Sequence, residues 1–73
     1  MSGLRPLKSG ELLKVLQKYY SYMGRQGKGD HIILFDRKGH YTVIQHPKEL
    51  RPPIIRSILR ETGLEWTDIE KYL

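Results

Sequence analysis

Apolar residues recur along this chain with two different periods, and the places where the period changes mark out its elements. Leu12, Val15, Leu16, Tyr19 and Tyr20 fall at helical spacing, with Lys14, Gln17 and Lys18 between them on the wet side. Ser9 supplies an N-cap, so a first helix is predicted over residues 10–20. Pro6 holds Arg5 out of helical geometry, which makes residues 1–8 an extended lead-in. Residues 20–26 then read as a strand, because aromatic side chains suit a pleated surface. Gly27-Lys28-Gly29-Asp30 is turn chemistry, since glycine permits positive φ. The run from His31 to Phe35 is apolar on both faces and is expected to be the central strand. Asp36 to Gly39 closes a hairpin, and residues 40–45 form the third strand.

Residues 46–51 connect this sheet to a second helix. Pro52 and Pro53 suit a first turn, where the missing N–H bonds nothing. Ile54, Ile55, Ile58 and Leu59 give the buried stripe, and Gly63 stands at the C-cap. Thr67 and Glu70 are spaced as a capping box for a last short helix, which Trp66 anchors. The sum is an α+β chain, a helix, three antiparallel strands and a helix, read as a single domain over residues 1–73.

Composition narrows the chemistry. A chain of 73 residues buries only about 60% of the surface its unfolded form exposes, so modest stability is expected. There is no cysteine, which excludes disulfides and thiolate zinc sites, and three scattered histidines offer no ligand spacing. No metal and no cofactor is expected. Walker-type and dinucleotide glycine patterns are absent. No apolar run nears the ~20 residues of a membrane span, and the N-terminus has no signal-like apolar core. The expectation is a soluble cytoplasmic protein with no membrane partner.

The net charge of +5 is unevenly distributed. Residues 1–60 carry twelve Lys or Arg against four acids, whereas residues 61–73 carry one Lys against four acids. A basic body suits a polyanion such as RNA, because Lys and Arg that neutralise phosphates release counterions. An ordinary solvated surface accounts for charge alone equally well.

Two stretches carry a resemblance. Pro6-Leu7-Lys8-Ser9-Gly10-Glu11-Leu12, followed by Arg25-Gln26 running into a glycine turn and His31, resembles the opening half of the HicA family. Lys48-Glu49-Leu50-Arg51-Pro52 and the run from Ile54 to Gly63 resemble its closing half. The resemblance spans roughly residues 6–72. It implies an α-β-β-β-α fold like that of double-stranded-RNA-binding domains. It also implies cleavage of messenger RNA (mRNA) by the toxin of a toxin–antitoxin pair, with a HicB-like antitoxin as partner. The family usually has one residue fewer in the glycine turn, and Asp30 stands here where Ser is usual.

The chemistry asks for little equipment. The RNA 2′-OH is itself a nucleophile, so the protein need only move protons and steady phosphate charge. Histidine titrates near neutrality and serves as base or acid. The resemblance makes His31 the catalytic residue. His46 falls at a family histidine position, either as a second proton-transfer group or as a loop residue in contact with RNA. Arg25, Lys28, Lys48, Arg51 and Arg56 are candidate phosphate contacts, and Gly27 and Gly29 would let RNA approach the backbone. His40, after a hairpin glycine, is expected to be solvated. Tyr20, Tyr22 and Tyr41 either stack on unpaired bases or pack in the core, the simpler reading of their spacing. A non-catalytic RNA-binding module and a protein-interaction domain remain the alternatives: His31 separates the enzyme from the first, and RNA affinity separates the first from the second.

Overall fold

The computed structural model describes residues 3–73. Its elements run β1 (Leu7–Lys8), α1 (Ser9–Tyr19), β2 (Met23–Gln26), β3 (His31–Phe35), β4 (Tyr41–Gln45), β5 (Glu49–Leu50), α2 (Pro52–Thr62) and α3 (Trp66–Glu70). The main sheet has the order β2-β3-β4 and is antiparallel throughout, so the apolar His31–Phe35 run is central as expected. With its helices this is the mixed α+β architecture of double-stranded-RNA-binding-like folds.

Alternation along the strands sorts the side chains. Leu34, Thr42 and Ile44 are buried against the helices. Leu12, Val15 and Leu16 of α1, Ile55, Ile58 and Leu59 of α2, and Ile69 of α3 complete that core. The opposite face carries Met23, Arg25, His31, Ile33, Phe35, Tyr41, Val43 and Gln45, and it stays largely open.

Several boundaries moved, each for a physical reason. Residues 7–8 are not a free lead-in: Leu7 pairs with Leu50 and Lys8 with Glu49, burying both leucines. A two-residue ribbon has no period to read. Lys8, not Ser9, caps α1, and its N–H donates to Glu11 Oε1 at 3.2 Å. Ser9 is instead buried against the β5 connection, where its hydroxyl accepts the Lys48 N–H at 3.0 Å. The helix stops at Tyr19, and Ser21 turns the chain at φ 59°. The strand therefore starts at Met23 rather than Tyr20. α3 opens at Trp66 with Glu65 as cap, because Asp68 Oδ2 reaches back to the Glu65 N–H at 2.9 Å. The proposed Thr67–Glu70 box does not form. The Gly63 cap does, at φ 73°. Among the described residues, no helix is long and apolar enough to cross a membrane.

The aromatic residues divide. Tyr22 is core and Tyr20 half-buried, its hydroxyl donating to the Asp68 carbonyl at 2.7 Å, whereas Tyr41 is 63% exposed. The Tyr22 hydroxyl is buried beside the Asp36 carboxylate. Burial first, and the nearby Asp36 carboxylate second, push it up to about 12. A tyrosine that holds its proton more tightly when folded contributes stability that is complete below its unfolded value near 10 and lost as pH rises toward 12. Alkaline unfolding monitored by circular dichroism should fall in that window. Tyr22→Phe should flatten the slope there, and an unchanged slope would exclude Tyr22 as its source.

Candidate functional site

The site is built at the end of the sheet where β3 begins. Gly27 N–H donates to the His31 carbonyl at 2.7 Å and Gln26 Nε2 to the Gly29 carbonyl at 2.6 Å, which closes the turn over residues 27–30. Gly29 takes φ 66°, a conformation other residues adopt at a cost. A Cβ on Gly27 would lie 3.1 Å from the His31 carbonyl, so the glycine is what lets the turn sit this close.

His31 projects from this turn with its side chain half exposed. Its Nδ1 lies 3.1 Å from the Lys28 carbonyl. A carbonyl only accepts, so Nδ1 carries the hydrogen and Nε2 of the neutral ring is left as an open acceptor. Asp30 Oδ1 stands 3.8 Å from the same Nδ1. The hydrogen bond from Gln45, then the backbone N–H of Asp30 itself, hold the Asp30 carboxyl below the usual carboxylate range. Gln45 is the cross-strand partner of His31 and a bridge: Nε2 donates to Asp30 Oδ2 at 3.3 Å, and Oε1 accepts Lys48 Nζ at 3.0 Å.

Beside His31 opens a groove of about 450 Å³, lined by Val43, Gln45, Lys48, Glu49, Leu50, Arg51 and Ile54. Of the residues singled out from sequence, the structure gathers His31, Lys48 and Arg51 here. Arg25 lies on the same open face, in register with Ile33 and outside the groove. Lys28 and Gly29 form the adjoining turn, and the Lys28 carbonyl orients the ring. Arg56 is exposed on α2, away from the groove lining.

His46 is not brought to His31. Its backbone N–H donates to the Asp30 carbonyl at 2.7 Å, but its ring lies on the helix side, with Nδ1 2.7 Å from Ser9 Oγ. Nor is His40 simply solvated. Its Nδ1 meets Asp36 Oδ2 at 2.9 Å at the far end of the sheet. Burial alone would raise the Asp36 carboxyl, yet the His40 ring and the backbone N–H groups of His40 and Lys38 leave it lowered. Sequence reasoning missed Gln45 and Ser9. Counting the hairpin register back from Asp36–Gly39 would have found the first, whereas no local signal marks the second.

A family model for the HicA toxin of bacterial toxin–antitoxin systems matches residues 9–64. The chain belongs to the HicA toxin family. The match runs from the first residue of α1 to the residue after the α2 cap, so it contains the whole His31 groove. No curated protein matches the sequence. Membership in the HicA family makes this chain a toxin whose natural counterpart is an antitoxin.

Proposed function

We propose that this HicA-family toxin is an endoribonuclease that cleaves mRNA, with His31 as its catalytic base and a HicB-like antitoxin as its inhibitor. The observation that carries the reading is the bond from His31 Nδ1 to the Lys28 carbonyl, which leaves Nε2 open beside Lys48 and Arg51. Nε2 takes the proton of a ribose 2′-OH, and the 2′-oxygen attacks the adjacent phosphorus. The P–O5′ bond breaks, leaving a 2′,3′-cyclic phosphate and a 5′-oxygen protonated by water at the open side of the groove. Lys48 and Arg51 stabilise the charge that develops on the phosphoryl oxygens. Gln45 holds the Lys48 ammonium in place by its 3.0 Å contact. Arg25 and Lys28 on the same side, with Gly29 allowing close approach, extend the phosphate contacts; Arg56 and His46 lie outside the groove and contribute only to binding.

The antitoxin is expected to cover His31 and to present acidic or polar groups to the Lys28 turn. A standard interface buries ~800 Å² per partner, a large share of a chain with 5065 Å² of accessible surface.

The test is the ribose requirement. An RNA oligonucleotide should be cut with EDTA present and yield a 2′,3′-cyclic end, while the same sequence with 2′-deoxyribose throughout stays whole. Cleavage of the deoxy strand at a similar rate would exclude attack by the 2′-OH.

A further inference from the structure

The His31 groove is one end of a longer track. Lys48, which lines it, also lines a cavity of about 680 Å³ formed with Ser9, Gly10, His46 and Pro47. Gly10 and His46 lead on to a third cavity of about 440 Å³ against the outward face of α1, where Lys14, Gln17 and Lys18 stand. Lys14 in turn lines a fourth, of about 230 Å³, beside Tyr19 and Tyr72. The four are joined by shared side chains and run from one face of the sheet round to the helix side.

The chemistry along this track is of one kind. Ser9 Oγ accepts the Lys48 N–H and lies 2.7 Å from His46 Nδ1, which ties that ring nitrogen to the serine. Nε2 is the ring nitrogen left to meet a ligand, and it donates to a phosphate oxygen whenever it carries a hydrogen. With no side chain at Gly10, nothing from that residue covers the ring. Lys14 and Lys18 follow one helical turn apart, ~6 Å along α1. The track ends on aromatic rings. Tyr19 and Tyr72 stack with centroids 3.7 Å apart and planes 10° from parallel, and Tyr20 meets Tyr72 edge-on. Tyr19 and Tyr72 each keep about two-fifths of their surface in solvent, and Lys18 and Lys71 stand 5.4 Å from their ring centroids. Two acids line the track, Glu49 in the first two cavities and Glu11 in the second and the last, against the cations Lys8, Lys48, Lys14 and Lys18, and the Glu11 carboxylate is engaged by the Lys8 N–H.

We infer that the outward face of α1, from His46 past Lys14 and Lys18 to the Tyr19–Tyr72 stack, is a second binding site for single-stranded RNA. It holds nucleotides away from the scissile bond by phosphate contacts and base stacking. Cations interleaved with exposed, stackable rings are what an unpaired strand requires. A rigid duplex does not bend round the end of a three-stranded sheet. The inference rests on the ribonuclease reading and adds to it a substrate form and a path.

The test uses a 2′-O-methyl oligonucleotide of about ten nucleotides, which binds but cannot be cut by 2′-OH attack, followed by fluorescence anisotropy. Lys14→Ala with Lys18→Ala keeps good helix formers at both sites. This pair should weaken binding at least tenfold and flatten the salt dependence by about 1.4 in log–log slope, ~0.7 per phosphate lost. Tyr72→Leu should cost roughly five- to a hundredfold, the range of one stacked base. In cleavage assays the double variant should lower the ratio of kcat/KM for the ten-nucleotide RNA over that for a dinucleotide. If wild type binds and cuts RNA while the double variant binds within twofold of it, the α1 track is wrong and the His31 reading stands. If wild type neither binds nor cuts RNA, the ribonuclease reading falls and the track with it. Loss of antitoxin binding without loss of RNA binding would make this face a protein interface, which also overturns the inference.

Discussion

His31→Ala is expected to abolish growth arrest on expression and to lower the RNA cleavage rate by ~10²–10⁴-fold, while the protein stays folded. The size follows from removal of one proton-transfer group. That the fold should survive follows from the site. The ring is half exposed and bonds to the Lys28 carbonyl, a partner that water replaces when the side chain is gone. The pairing of β3 with β2 and β4 runs through the His31 backbone, which alanine keeps. His46→Ala is the informative contrast. It strips a partner from the buried Ser9 hydroxyl and leaves the His31 groove lining whole, so it should lower the melting temperature and affect RNA affinity more than kcat. Equal toxicity and equal cleavage from wild type and His31→Ala would remove His31 from the mechanism. Loss of activity together with loss of the native circular dichroism spectrum would make its role structural.

A second large effect is expected in the core. Leu34 sits on the central strand with no exposure, between Gly24 and Thr42 in register. Leu34→Ala should cost about 2–5 kcal/mol, the transfer of the lost methyl groups plus the cavity they leave. At ~0.05–0.15 kcal/mol per residue, the whole chain has roughly 4–11 kcal/mol to lose. The midpoint of thermal unfolding should therefore fall by between about 10 and 40 °C, and the variant is expected to be partly unfolded at 37 °C. Tyr41→Ala, on the open face, should shift it by a few degrees at most. Comparable melting of both variants would mean that the sheet's two faces are not divided as described.

Where the sequence carries a strong local signal, the fold could be read from it. The proline pair at 52–53, the isoleucine stripe and Gly63 bound α2 because each acts within its own turn. The His31–Phe35 run identified the central strand because it is apolar on both faces. The misreadings arise where contacts span the chain. Ser9 looked like a cap because Ser often is one, but its hydroxyl is claimed by Lys48 and His46, 39 and 37 residues away. His46 looked like a partner for His31 because both are histidines at family positions. Gln45 pairs with His31, and one step along the chain reverses the face, so His46 turns to α1. Tyr41 follows the same alternation outward. The candidate groove was thus half legible: the cations were found, while the glutamine that holds one of them needed the hairpin register.

The ribbon between β1 and β5 has a consequence for how this toxin comes into being. Leu7 cannot pair until Leu50 exists, and Ser9 cannot lock to Lys48 before that residue is made. One side of the His31 groove is Lys48, Arg51 and Ile54. A chain still growing on the ribosome therefore has its histidine long before it has a groove to use it in. Since domains fold as units once their sequence has emerged, the site assembles only after the segment from 48 to 54 has left the ribosome. If the His31 groove is the cleavage site proposed above, the nascent toxin is expected to stay inert beside the messenger that encodes it, and a product cut short before residue 48 keeps His31 without the groove.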